Sequence, residues 1–293
     1  MATENTTHKV TLTGPQETLL ATLYGRSRDA ARPNSVLHDK WAVETVEKID
    51  YDFSKIGMND TSCVGVSIRA LVLDTWTTEF LAAHPSATVI HLACGLDSRN
   101  IRVPFGSGVR WIDLDLPDVV ALRNELQLPV PDGDYTLKAG SATEPDEWLG
   151  DLPADRPAIV VLEGLTMYLE EDKGRHMFER LVSHFQAVGG QFAFDAYGTV
   201  AIRLQKRIKP VAMTGSQLSW GIDDPKLFAS WFPGLKLLNE YLSVDMPGQD
   251  SLPLAGKIQL WVAAHLPYLR DAGRVLRYEF GPRDEAVTAP STN

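Results

Sequence analysis

This sequence lacks most of the signals by which a single motif reveals a role. It has two cysteines, Cys63 and Cys94. They are too few to hold a zinc ion between them, they form no CxxC pair, and Cys94 sits in an apolar stretch poorly suited to a disulfide. The seven histidines form neither HxxxH nor HExxH, so no metal centre is expected. Acids outnumber bases, 38 to 28, for a net charge of -10. The only basic run is the scattered RLQKRIK at 203–209, which reads as the polar face of a helix. A nucleic-acid backbone is thereby excluded as the main partner, since such binding rests on clustered cations. No apolar run approaches a membrane span. The opening MATENTTHKVTLTG has neither an apolar signal core nor an Arg-rich targeting pattern, so a cytoplasmic location is expected. Repeats and low-complexity linkers are also absent.

What is present is an ordinary globular balance, 44% apolar and 23% charged over 293 residues, enough for one sizeable core. Residues 1–14 are polar and expected to be loose. From 16 to 47 the apolar spacing is helical, interrupted by ARPNS at 31–35. A third helix is expected over 61–83, with Val64, Ile68, Leu71, Val72, Trp76, Phe80 and Leu81 at three- and four-residue steps. The rhythm then changes to short apolar runs at 88–93, 109–115, 135–139, 158–164 and 191–197. A helix at 171–188 is stopped by Gly189-Gly190. The last third reads strand, helix, strand. Strands alternating with helices mean a mostly parallel sheet covered on both faces. The polar end, GPRDEAVTAPSTN, is expected to be disordered.

In such a sheet, ligands sit past the carboxyl ends of the strands. The first strand runs into a small-residue corner, Ala93-Cys94-Gly95, where backbone can approach a ligand closely. The second ends at Asp113 and Asp115, the third is followed by Gly140-Ser141, the fourth ends at Glu163 and the fifth at Asp195. An acid about twenty residues past the corner can accept both hydroxyls of a ribose. Asp115 and Asp113 both qualify by distance and share strand parity, so periodicity does not separate them. There is no GxGxxG for a dinucleotide and no GxxxxGK[ST] for ATP, and Asp97 stands where a phosphate would need to sit. A nucleoside cofactor without phosphate fits best: S-adenosylmethionine.

HLACGLDSRNIRV, WIDLDLPDVV and VVLEGLTMYLEED together closely resemble the leucine carboxyl methyltransferase family, and in particular its bacterial branch. ETLLATLYGRSRDA and SIRALVLDTWTTEFL resemble it as well, and the likeness spans about 15–280. It implies a class I methyltransferase fold, α/β and Rossmann-like, with a mostly parallel seven-stranded sheet, helices on both faces and an N-terminal helical lid. The chain would be one methyltransferase domain: lid 15–85, core 86–280, polar tail 281–293. The resemblance further implies that Gly95 lies against the methionine part of the cofactor, with Ala93 at the place of the family's first motif glycine. Asp115 would hold the ribose. Glu163, followed by Gly164, would lie near the cofactor's amino group. Arg69 would reach its carboxylate from the lid, and Tyr168 would position groups at the methyl-transfer channel. Where the family often has an acid near the adenine, this sequence has Gly140 and Ser141.

The expected activity is O-methylation of a small-molecule carboxylate, polyketide-like or otherwise aromatic. A phenol or other hydroxyl, or the carboxyl end of a protein, are the alternatives. Tyr197 and Trp220 are candidates to line the acceptor site, core packing being the competing reading for Trp220. Arg99 and Asp97 are candidates for a structural pair behind the corner. A carboxylate needs no general base, whereas a phenol, with pKa about 10, benefits from one. No histidine is expected at a strand end, which favours the carboxylate.

Overall fold

The described part of the computed structural model comprises residues 7–10 and 17–282. Most of the polar segment expected at 1–14, and the tail beyond 282, lie outside it. The N-terminal part folds as α1 (Thr18–Ala30), α2 (Lys40–Glu47) and α3 (Asp60–Ala83). Asn59 caps α3 by accepting the Ser62 N–H at 2.9 Å, satisfying a donor that the first turn leaves without a helical partner. Buried along α3 are Val64, Ile68, Val72, Trp76 and Phe80. A short parallel pairing of His8–Lys9 with Ile49–Asp50 ties the N-terminal segment to the end of α2.

The core is a seven-stranded sheet. Its strands are β1 (Thr88–Leu92), β2 (Arg110–Asp115), β3 (Asp134–Ala139), β4 (Ala158–Leu162), β5 (Gly190–Tyr197), β6 (Lys236–Leu242) and β7 (Gly273–Phe280). Their order is β3-β2-β1-β4-β5-β7-β6. The first five pair in parallel; β7 runs antiparallel to both β5 and β6. All five residues of β1 and of β4 are buried, the continuous apolar run that a strand covered on both faces requires. On one face Val89, Val161 and Ala193 pack under Trp76 and Phe80 of α3. On the other, Ile90, Val160 and Phe194 meet a larger cluster.

The intervening helices are α4 (Arg99–Arg102), α5 (Pro117–Glu125), α6 (Glu171–Phe185), α7 (Thr199–Arg203), α8 (Lys209–Thr214), α9 (Pro225–Ser230), α10 (Leu254–His265) and α11 (Pro267–Arg270). α6 buries Met177, Phe178, Leu181, Val182 and Phe185. It stops three residues before the expected end, where the Val188 and Gly189 N–H groups turn back onto the Phe185 carbonyl and Gly189 adopts φ 72°, a conformation glycine takes freely. No helix among the described residues is long and apolar enough to cross a membrane.

Trp220 belongs to this core and not to an acceptor site. It is 2% exposed and packs against Phe178 and Phe228. A Cβ at Gly174 of α6 would lie 2.2 Å from its ring, so that glycine makes room for it. Of the two readings open for it, core packing is the one the structure shows.

Candidate active site

Strand order reverses between β1 and β4, and the site lies past their carboxyl ends. Just after β1, Ala93 and Gly95 both take positive φ, each 51°. The resulting corner is stapled by Asp115, the last residue of β2. Its Oδ2 accepts the Gly95 N–H at 2.6 Å and its Oδ1 the Leu116 N–H at 2.7 Å. Burial pushes the Asp115 carboxyl upward, against the pull of these two backbone donors. Each oxygen keeps a further lone pair.

Above the corner is a cavity with about 780 Å³ of open space. Its floor is His91 and the stretch 93–97. One side is Asp115 with Leu116 and Val119, another is Glu163 to Leu165 with Tyr168, and the roof is Thr18, Leu19, Thr22 and Arg26 of α1. A second cavity of about 520 Å³ adjoins it, and Thr18, Thr22, Gly164 and Tyr168 line both. The second is mostly apolar, with Ala21, Met58, Val66, Met167, Ile208 and Val211; besides the shared residues, Arg69 and Tyr197 are its polar members.

Buried ion pairs join the roof to the floor. Glu163 is gripped by Arg69, at 3.0 Å, and by Arg99. Burial opposes its ionisation, but the two guanidiniums prevail and hold its pKa at about 2. Arg69 also donates to Asp195 at 2.9 Å, and Asp195 accepts the Gly164 N–H at 2.6 Å. Burial still pushes the Asp195 carboxyl above its ordinary value. Arg99 reaches Asp74 at 2.7 Å and Asp97 at 3.2 Å. Arg102 bridges Asp39, Asp74 and Asp97 at 3.1, 2.8 and 2.6 Å, and Arg26 meets Asp39 at 3.1 Å. Among the described residues, four guanidiniums (Arg26, Arg69, Arg99, Arg102) thus face five carboxylates (Asp39, Asp74, Asp97, Glu163, Asp195). One negative charge is left over, and Asp115 adds a second.

Ala93, Gly95, Asp115, Glu163, Gly164 and Tyr168 all line the first cavity, and Arg69 and Tyr197 the second. Asp113 does not line either. It is 1% exposed, and its oxygens are taken by Trp111 Nε1 at 2.8 Å, Arg123 at 3.1 Å and the Tyr135 hydroxyl at 2.9 Å. The choice that parity left open is made by the surroundings: neighbours from α5 and β3 cover Asp113, whereas Asp115 stands at the strand terminus and folds back on the corner. Gly140 and Ser141 also fall outside the cavity. The Gly140 N–H bonds the Asp115 carbonyl at 2.8 Å, and the Ser141 carbonyl accepts Trp148 Nε1 at 2.8 Å.

Of the lining residues that the sequence reading did not name, two carry titratable side chains. Arg26 lies seven residues after Leu19 and four after Thr22, one helical face, and that spacing marks it. His91 sits within β1, and its ring borders the cavity. Its Nε2 lies 2.8 Å from an Arg99 nitrogen. Arginine can only donate, so Nε2 accepts and the ring proton belongs on Nδ1, facing Asp113 at 3.5 Å.

Residues 21–131 match the family model described as leucine carboxyl methyltransferase. The chain is 41% identical over 274 residues to the tetracenomycin polyketide synthesis O-methyltransferase TcmP of Streptomyces glaucescens, covering 92% of this chain and 98% of that one. It belongs to the leucine carboxyl methyltransferase family. The S-adenosyl-L-methionine-dependent methyltransferase dpfgK of Gibberella zeae is likewise 41% identical, over 249 residues, covering 78% and 82% of the two chains. A solved DUF574 family protein from Streptomyces avermitilis shares the fold, with a TM-score of 0.56 at 12% identity over 88% of this chain and 97% of that one. A Thermobifida fusca protein does so with a TM-score of 0.54 at 14% identity, over 88% and 94%. As a member of this family the protein is an S-adenosylmethionine-dependent O-methyltransferase.

Proposed function

We propose that the first cavity takes S-adenosylmethionine and the second a small aromatic acceptor whose carboxylate receives the methyl group. The donor set suits this cofactor. Asp115, pinned by two N–H groups and 8% exposed, has lone pairs left for two ribose hydroxyls. The two uncompensated negative charges around the cavity suit a ligand with an ammonium and a sulfonium. Glu163 and Asp97 would face its amino end, and Arg26 and Arg69 would balance its carboxylate. The cofactor, when bound, supplies an electrophilic methyl on sulfur.

What remains for the protein is alignment. Gly164 and Tyr168, which line both cavities, would hold the acceptor in line with the methyl. Such positioning can contribute on the order of 7–11 kcal/mol at best.

The observation that carries the carboxylate reading is the lack of a free base near the second cavity among the described residues. Burial pushes Tyr197 up to about 12 and raises Tyr168. Asp195 does not line this cavity, and its oxygens face Arg69 and the Gly164 N–H. The His91 lone pair is committed to Arg99. An acceptor must therefore arrive ionised, and a carboxylate, with pKa about 4, does so at neutral pH. The similarity to TcmP, whose name places it in polyketide synthesis, supports a polyketide-like aromatic acid.

The test is the pH profile together with the product. With a carboxylate acceptor the rate is flat between about pH 6 and 9, and mild base hydrolyses the product as an ester. Tyr197→Phe keeps turnover. A rate that climbs with pH, with a base-stable ether as product, would mean a hydroxyl acceptor instead.

A further inference from the structure

Outward from the second cavity the cleft widens into a mouth of about 1230 Å³. Met58, Val66, Arg69, Tyr197, Ile208 and Pro210 line both, so the two are one continuous path. The charge changes sign along it. The chain carries ten more acids than bases, 38 against 28, yet among the described residues the mouth is lined by Arg69, Arg207, Lys209 and Arg274 against a single acid, Asp195.

Two of these cations are already matched. Arg69 is paired with Asp195 and Glu163, and Arg274 donates to Glu240 at 2.6 Å. The other two have no carboxylate among the described residues. Arg207 is exposed, and no acid pairs with its guanidinium. Lys209 places its Nζ 3.1 Å from the Gly57 carbonyl, which fixes the ammonium at the rim without cancelling its charge. An acidic protein has thus kept two unmatched cations at the entrance to an apolar cavity. Such a cleft draws in anions and concentrates them at its opening, and a guanidinium favours a planar carboxylate in particular.

We propose that the acceptor is an aromatic dicarboxylate. One carboxylate enters the second cavity to be methylated while Arg207 and Lys209 hold the other at the mouth. This rests on the carboxylate-acceptor reading above and adds the class of acceptor to it.

The two probes are 2-naphthoate and 2,6-naphthalenedicarboxylate. Calorimetry measures their binding to the full chain saturated with S-adenosylhomocysteine, and ester formation is followed separately with S-adenosylmethionine. The diacid is expected to bind about tenfold more tightly than the monoacid, as one good charge-assisted contact implies, and the advantage shrinks as salt rises. In R207Q/K209Q the advantage falls to about twofold or less. The same loss of charge at two exposed lysines remote from the mouth, K226Q/K236Q, leaves it intact.

Equal affinity for the two acids in the unaltered chain, or an advantage that survives R207Q/K209Q, overturns the proposal. The two readings fail separately. If both acids bind alike and both form esters, the carboxylate reading stands and the dicarboxylate proposal falls. If the diacid binds through Arg207 and Lys209 but neither acid yields an ester, the mouth recognises a second anion and the methylated group is something other than a carboxylate.

Discussion

Asp115 and Asp113 are two residues apart on one strand and share a sequence signature, yet only Asp115 reaches the cavity. Replacing Asp115 with Asn keeps the shape but puts an amide nitrogen where one oxygen accepts a backbone N–H. Charge-assisted bonds of this kind contribute roughly 1.5–3 kcal/mol each. Calorimetry of Asp115→Asn should show at least a tenfold weaker affinity for S-adenosylmethionine, with the circular dichroism unchanged. Asp113→Asn should instead loosen the contacts to Arg123 and Tyr135 and lower stability more than affinity. The corner offers a second pair of variants. Ala93 holds φ 51°, a conformation that costs a residue with a Cβ about 1–2 kcal/mol. Ala93→Gly relieves that strain but adds freedom to the unfolded chain, which offsets roughly 0.4–1 kcal/mol. The melting temperature should therefore rise by about 1–2 °C. Gly95→Ala imposes the strain and adds a Cβ 3.4 Å from Leu19 in the roof, so it should lower both melting temperature and cofactor affinity. At this scale the sequence was legible where a residue ends an element, as at Gly95 and Glu163. Where a side chain's destination depends on covering neighbours it left alternatives open, as at Asp113 and Trp220, and it was silent on His91.

The strands and the longer helices were readable, because the apolar spacing changes sharply from helical to strand-like after α3 and the sheet's buried strands are continuous runs. α4, α5, α7, α8, α9 and α11 were not placed, and 203–209, read as a helix face, runs from the end of α7 through a 3-10 turn to the start of α8. What the spacing did not reveal is how α1, α2 and α3 are tied to the sheet. Those ties are ion pairs between distant residues, and distance along the chain hides them. Arg102 on α4 is the knot: it joins Asp39 at the start of α2, Asp74 within α3 and Asp97 behind the corner. It is 6% exposed, so Arg102→Met strands buried carboxylates and should cost about 3–5 kcal/mol in urea unfolding. Arg28→Met breaks an exposed pair with Asp60 and should cost under about 1 kcal/mol. The same network sets the acid response. Glu163 is held at about 2 and Asp97 well below its ordinary value. Both acids have folded-state values below the unfolded ones, so the unfolded chain binds more protons in between. Their contribution is complete above about pH 5 and is lost as pH falls toward 2. Asp115 and Asp195 are raised and act in the opposite sense, gaining stability as they protonate. The paired acids outweigh them in contacts, so the urea midpoint should be steady from pH 6 to 9 and drop below pH 5.

At the scale of the molecule, the N-terminal helices are less an appended lid than one wall of the site. Thr18, Leu19, Thr22 and Arg26 roof the first cavity, and Ala21 lines the second. Cys94 lies beneath that roof. It is 2% exposed, and burial pushes its thiol well above the ordinary range. Cys63 is equally hidden, at 1% exposed, with a thiol pushed up to about 11, but it sits on α3 and away from both cavities. The two sulfurs therefore amount to a pair of clocks inside one chain. Iodoacetamide at pH 8 should mark each only as often as its surroundings open, and mass spectrometry reads both dials at once. Adding S-adenosylhomocysteine should slow the Cys94 clock several-fold and leave the Cys63 clock running at its old pace. If both keep time as before, the cofactor rests somewhere other than above the corner.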